Sequence, residues 1–207
     1  RTTHNTLIEV IWTGLPILLL IAIAIPSFNL LNAQLAPEEE PAMTVKATGY
    51  QWYWGYEYQD GDELSFDSIM LRDGEAADYG KQDLAQYPRL LAVDNELVVP
   101  VGKMVRVLVT AADVIHSFAM PSFGVKVDGV PGRTNETWFK AEREGLFYGQ
   151  CSELCGRDHA FMPIAIRVVS DAQFEAWKAA AADDLESANA ALMASIDSGK
   201  NIKLAGN

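Results

Sequence analysis

The chain has 207 residues, a hydrophobic share of 49%, 10% aromatic residues and a formal net charge of −12. That length suits one packed domain plus an accessory segment, and the apolar and aromatic content excludes a disordered chain. Between Pro37 and Pro100, 14 acidic residues face only Lys46, Arg72, Lys81 and Arg89, a net of −10. A field of that sign excludes nucleic acid as a partner and favours a basic protein, although from charge alone a solvated face reads equally well.

In chain order, the first element is apolar. No charged residue occurs from Val10 to Pro37. A membrane-spanning helix needs about 20 apolar residues, and Val10–Leu31 supplies them with room for tilt. Gly14 and Pro16 are tolerated in a spanning helix that packs against others. A secretory signal is the competing reading, because Arg1 precedes the stretch. The usual signal core is only about 7–15 residues, however, and Glu9 stands at the start of this one. Too few Lys and Arg flank it to set its orientation. Glu38, Glu39 and Glu40 close the hydrophobic run.

After a linker over Pro37–Pro41 the hydrophobic period changes to two. Met43–Tyr50, Gln51–Gln59, Lys103–Thr110, Thr134–Lys140, Leu146–Gln150 and Ile164–Val169 read as short strands. Val105, Val107 and Val109 share one face, as do Ile164, Ile166 and Val168, opposite Arg167. A further apolar strand is expected to end at Ile115. Asp60-Gly61, Asp73-Gly74, Asp128-Gly129, Pro131-Gly132 and Glu144-Gly145 read as turns. Residues 72–87 are polar and acidic, a loop or a short helix. Short strands without intervening helices predict a mainly β fold, a sandwich or barrel. Ser170 with Gln173 forms a capping box for a helix carrying Phe174 and Trp177. From Ala179 the pattern weakens, so fraying is expected toward the end. The predicted divisions are 1–36, 37–170 and 171–207.

The chemistry concentrates in Cys151-Ser-Glu-Leu-Cys155-Gly-Arg-Asp-His159-Ala-Phe-Met162, which holds both cysteines of the chain. His116 lies 35 positions before Cys151. Thiolates and a thioether are soft ligands and imidazole suits copper, so this set selects copper over harder metals. Two thiolates could bridge a pair of copper ions, with one histidine on each and Met162 and a backbone carbonyl as weak axial ligands. An electron shared over two bridged metals changes each bond length little, which fits electron transfer rather than bond-making. A disulfide between the cysteines and a structural Cys2His2 zinc site remain as alternatives. The first leaves both histidines and Met162 unexplained, and the second has no use for Met162.

The loop Gly149–Pro163 resembles the dinuclear copper (CuA) loop of cytochrome c oxidase subunit II. Similar too are Gly49-Tyr-Gln-Trp-Tyr-Trp54, Val114-Ile-His-Ser117 and Val130-Pro-Gly-Arg133, within a match running from Asn5 to Ser170. The resemblance implies a cupredoxin-like Greek-key β-barrel anchored by an N-terminal transmembrane helix, with a copper domain over 37–170. It implies that Cys151 and Cys155 bridge two copper ions, that His116 and His159 each bind one, and that Met162 and the Glu153 carbonyl complete them. The Glu153 side chain would then help bind magnesium shared with subunit I. By the same resemblance Trp52 receives the electron from cytochrome c, although strand alternation would place it with Trp54, Tyr56 and Tyr58 on one face. Glu57, Asp94 and Asp113 match acids of the cytochrome c docking surface, and Glu9 matches a carboxylate at the mouth of a proton-uptake path. An acid at a membrane edge is costly enough to suggest function, and snorkelling to the interface is its ordinary alternative.

The implied partners are cytochrome c, oxidase subunits I and III and membrane lipid, and the implied location is a bacterial inner membrane with the copper domain in the periplasm. Oxygen reduction and proton pumping would belong to subunit I. The sequence departs from the family in showing one helix instead of a hairpin, which leads to the expectation of an absent or trimmed first helix. It departs also at Tyr50, where some relatives carry histidine, and at Arg157 and Asp158, which add charge beside the loop. The competing functions are an electron-accepting domain of a nitrous-oxide-reductase-like enzyme, disfavoured by the membrane helix, and a quinol oxidase subunit, which would not keep the cysteines. A secreted disulfide-stapled binding module is the reading from outside the copper class.

Overall fold

The computed structural model describes residues 3–35, 39–61 and 64–205, with side chains to residue 198. The start of the expected linker, Pro37 and Glu38, lies outside the described residues, as do the last two residues of the tail. The chain divides into two units, Arg1–Glu40 and Pro41–Asn207.

In the first unit a single helix, α1, spans Thr6–Leu35. Its 30 residues make it about 45 Å long, ample for the apolar core of a bilayer. It begins a turn before the uncharged run because Asn5 caps it. The Asn5 side chain accepts from the Ile8 amide, and the Glu9 carboxylate accepts from the Asn5 amide. Apolar side chains cover every side and none is buried within the chain, the surface of a helix solvated by lipid. Pro16 and Pro26 lie inside it.

The second unit is built on two five-stranded sheets. Its strands are β1 Met43–Tyr50, β2 Tyr53–Tyr58, β3 Ser65–Ser68, β4 Leu97–Pro100, β5 Met104–Ala111, β6 His116–Met120, β7 Val125–Gly129, β8 Asn135–Lys140, β9 Gly145–Cys151 and β10 Pro163–Val169. One sheet runs β3-β2-β1-β5-β8 and the other β4-β10-β9-β6-β7. Most neighbours are antiparallel, but β1 pairs with β5 and β4 with β10 in parallel. The alternating valines do what period two predicts: Val105, Val107 and Val109 are fully buried against Phe118, Met120, Ile164 and Ile166 of the other sheet.

Several expectations are corrected here. The strand before His116 ends at Ala111, and His116 itself opens β6, because its imidazole is drawn into the sandwich beside Trp54. Asp128-Gly129 is not a turn but the end of β7, paired with His116 and Ser117. Arg167 lies on the second face of β10, yet that face is covered too. Its guanidinium is buried and doubly bonded to Glu96, at 2.5 and 3.0 Å, and donates to the Tyr87 hydroxyl at 3.0 Å. Lys81 joins the same buried Glu96 at 3.1 Å, tying the acidic loop to the sheet. The loop itself is irregular apart from one short turn of helix at Glu75–Ala77.

Ser170 caps α2 (Asp171–Ala181) with the full reciprocal capping box. Phe174 and Trp177 enter the main core, where Trp177 packs on Tyr58 and Phe66 at centroid distances of 5.6 and 6.4 Å. The tail is helical rather than frayed: α3 spans Leu185–Ala205, and Ala188 and Leu192 are buried with α2 in the same core. Small alanines give little periodic signal in sequence, but they allow two helices to approach closely.

Candidate metal centre

The site lies at one end of the second sheet, where three chain segments meet. His116 opens β6, Cys151 closes β9, and Met162 immediately precedes β10. Adjacent strands pair Phe118 with Cys151, and Gln150 with Pro163, so the sheet register fixes both ends of the loop 151–162. The loop is further tied by the Ser152 amide donating to the Ser117 carbonyl at 3.0 Å.

His116, Cys151 and Cys155 place their ligand atoms within 4.8 Å of one another, all three residues buried. The two Sγ atoms are 3.9 Å apart, and neither cysteine is in a disulfide. Nδ1 of His116 lies 3.8 Å from Cys151 Sγ, and Nδ1 of His159 lies 3.6 Å from Cys155 Sγ. Met162 Sδ stands 3.5 Å from Cys155 Sγ, and the Glu153 carbonyl oxygen 3.4 Å from Cys151 Sγ. All six residues predicted as ligands therefore converge. The Glu153 side chain points away from this cluster into an exposed position.

The spacing fits metal. Two sulphurs that each lie about 2.3 Å from a shared ion can be at most about 4.6 Å apart, and a sulphur and an imidazole nitrogen about 4.3 Å. The separations of 3.9, 3.8 and 3.6 Å all satisfy this. Each imidazole, moreover, faces a different sulphur. The donor set of thiolates, imidazoles and a thioether is one for soft or borderline ions, among which copper and zinc are the common choices.

The electrostatics prepare one thiolate. Burial opposes ionisation of Cys151, but His116 and the Ser117 and Glu153 backbone outweigh it and lower its pKa. Burial and the neighbouring Cys151 charge raise that of Cys155. Asp113 holds the far side of His116, its Oδ1 2.9 Å from Nε2, which turns Nδ1 toward the sulphur. Burial opposes ionisation of the Asp113 carboxyl, but its bonds to His116 and to the Val114 and Gln51 amides hold it below the ordinary range.

Trp52 escapes the alternation of β2. It sits in the turn between β1 and β2, half-buried, while Trp54, Tyr56 and Tyr58 point into the core. Its Nε1 donates to the Cys155 carbonyl at 3.3 Å, and the Arg157 guanidinium lies 5.4 Å from its ring. The remaining predicted residues make other contacts. Glu57 is paired with Lys46 at 3.2 Å, and Asp94 accepts from the Ile69 and Asn95 amides at 2.7 and 2.6 Å. Glu9 serves the helix cap. Sequence reading missed two participants. Asp113, expected only at the docking surface, supports His116, since an acid three residues before a ligand histidine can reach its ring. Gln51, next to Trp52, carries no motif of its own.

A two-sheet β-sandwich that brings together two free cysteines, two imidazoles and a thioether at one end defines a metal-binding domain of the cupredoxin type. Residues 43–169 match the family model described as cytochrome c oxidase subunit II, periplasmic domain, and residues 1–30 match its transmembrane domain. The chain belongs to the cytochrome c oxidase subunit II family. It is 51% identical over 208 residues to a Rickettsia felis protein named "Probable cytochrome c oxidase subunit 2", covering 100% of this chain and 60% of that one. It thus spans about three-fifths of the length of that relative. Among solved structures, the periplasmic domain of subunit II of cytochrome oxidase of Bradyrhizobium japonicum is 58% identical, with a TM-score of 0.61, covering 69% of this chain and 95% of that one. A second, the mixed-disulfide intermediate between a thioredoxin-like protein and subunit II of cytochrome c oxidase, is 56% identical with a TM-score of 0.59, covering 71% and 95%. The chain accordingly joins a segment of the family's transmembrane type to a domain of its periplasmic type.

Proposed function

We propose that this chain is the electron-accepting subunit of a cytochrome c oxidase in a bacterial inner membrane. It takes electrons from cytochrome c in the periplasm and delivers them to the haem of subunit I, where oxygen is reduced to water and protons are pumped, with subunit III in the same assembly. The observation that carries this reading is the pair of free sulphurs 3.9 Å apart, each faced by its own histidine.

A pair of copper ions, when bound, supplies reversible one-electron chemistry. Cys151, Cys155, His116 and His159 would hold the pair, with Met162 and the Glu153 carbonyl as weaker ligands. The sandwich core behind His116, with Trp54 and Phe118 edge-on at centroid distances of 6.0 and 5.4 Å from their neighbours, excludes water. Trp52 offers a half-exposed ring joined by one hydrogen bond to a ligand residue, a short route from partner to site. The exposed Glu153 side chain is free to share magnesium with subunit I. Glu57, Asp94 and Asp113 contribute to the acidic face for cytochrome c, and Glu9 lies near the mouth of a proton path. The relative captured in a mixed disulfide supports a reducing step on the cysteine pair before loading.

The test is copper content and electron paramagnetic resonance on the full chain in detergent, reduced and then loaded with copper. Two coppers per chain with hyperfine coupling shared equally are expected. One copper with a single-nucleus signal, or zinc alone, overturns the reading.

A further inference from the structure

The turn between β1 and β2 is bonded to both ligand-bearing parts of the site at once. The Gln51 side chain donates from Nε2 to the Cys155 carbonyl at 2.7 Å, across a separation of 104 residues. Only the amide nitrogen can face a carbonyl, so the orientation of this amide is fixed by chemistry. The backbone amide of the same residue donates to Asp113 Oδ2 at 2.7 Å, and the other oxygen of that carboxylate lies 2.9 Å from His116 Nε2. One residue thus spans from the strand-borne histidine, through Asp113, to the loop-borne cysteine. The turn sits so close that a Cβ on Gly156 would stand 3.1 Å from Gln51 Nε2 and 3.0 Å from the Trp52 ring.

Resting on the function proposed above, the geometry points to Gln51 as a positioning residue that sets Cys155 against His116 and holds Trp52 on the Cys155 carbonyl. Gln51 is exposed and its side chain adds nothing to the core, so bulk stability does not explain the bond. Without it, the Cys155 carbonyl keeps, among the described residues, the longer bond from Trp52 at 3.3 Å, and the loop end loses its shorter tie to the turn. The backbone link from Gln51 to Asp113 survives any substitution other than proline. The side-chain arm can therefore be removed alone.

The experiment compares Gln51→Ala and Gln51→Glu with the parent as full chains in detergent. Glu has the same length but no N–H to donate. In the metal-free chains, amide order parameters at Cys155 and Gly156 are expected to fall from about 0.85 toward about 0.6 in both variants, with the core unchanged. In the copper-loaded chains, affinity is expected to fall about tenfold or more and the hyperfine pattern to change. Order parameters, affinity and spectrum all equal to the parent would overturn the assignment. If the parent itself takes up no copper, the proposed function fails instead, and the metal-free order parameters alone decide the role of Gln51.

Discussion

Gly49 lies directly over the imidazole of His116: a Cβ there would stand 2.7 Å from Cδ2 and 2.8 Å from Cγ. Contacts below 3 Å cannot be relieved without moving the ring, and the ring is packed on Trp54 behind. Gly49→Ala is therefore expected to fold, since β1 keeps its ladder to β2 and β5, but to displace Nδ1 from Cys151. Metal uptake by the full chain should be lost or weakened by at least about tenfold, measured by competition with a chelator. Parent-like uptake would show that the ring has another way to sit.

Asp113 acts on the opposite edge of the same ring. Removing its carboxylate in Asp113→Ala leaves Nε2 without its acceptor and frees the imidazole to rotate, at a cost of about 10–100-fold in metal affinity. Asp113→Asn, which retains an acceptor oxygen of the same reach, should lose much less. Equal losses in the two variants would mean that charge, and not orientation, is what Asp113 provides.

The two sulphurs differ in proton affinity. Cys155, raised by burial and by the Cys151 charge, holds its proton at neutral pH, whereas Cys151 is already inclined to ionise. A metal bound by both thiolates must expel the Cys155 proton, so affinity rises with pH as long as that thiol remains protonated. His116 adds to this: burial opposes its charge, but its bonds to Cys151 and Asp113 outweigh burial and raise its pKa, so part of a second proton leaves with it. Calorimetry of metal uptake in buffers of different ionisation enthalpy should show at least one proton released per chain at pH 7. Release of none would mean that one thiolate alone binds.

Away from the candidate metal centre, Glu96 contributes to acid stability. Burial opposes its charge, but Arg167 and Lys81 outweigh burial and hold its pKa below that of an unfolded glutamate. The unfolded chain consequently binds the proton first. The stabilisation is fully present above about pH 4.3 and is lost as pH falls through the lower, folded value. Glu96→Gln leaves Arg167 and Lys81 buried without their counter-charge. It should cost about 3–5 kcal/mol in thermal unfolding followed by tryptophan signals, and it should remove this part of the acid dependence.

Strands with one buried face could be read directly. Lys103–Thr110 and Met43–Tyr50 matched β5 and β1 to within a residue, because their alternation is that of a pleated surface. The strands that escaped, β3, β4, β6 and β7, are four or five residues long, too short to show a period. Leu97–Pro100 is buried at every position and has no period, and Ser65–Ser68 is a short edge of four residues. The metal ligands were legible because both cysteines, a histidine and a methionine cluster in one short loop, and His116 stands out as one of the chain's three histidines. Gln51 was not legible, since a glutamine has no distinctive spacing and its partner lies 104 residues away. Trp52 was legible by resemblance but not by period, because the turn that lifts it out of β2 is set by contacts with Asp113 and Cys155 from elsewhere in the chain.

The parallel pairing of β1 with β5, and of β4 with β10, joins segments separated by roughly sixty to seventy residues. Such contacts require long loops to close before they return any stabilisation, so assembly of this domain is slow by the standards of its size. His116 and Cys151 reach one another only after the second sheet has formed. Both thiols therefore stay exposed through most of the folding time, open to oxidation and to stray metals. A cell making this protein must keep that window reducing, or repair its consequences, before the domain closes.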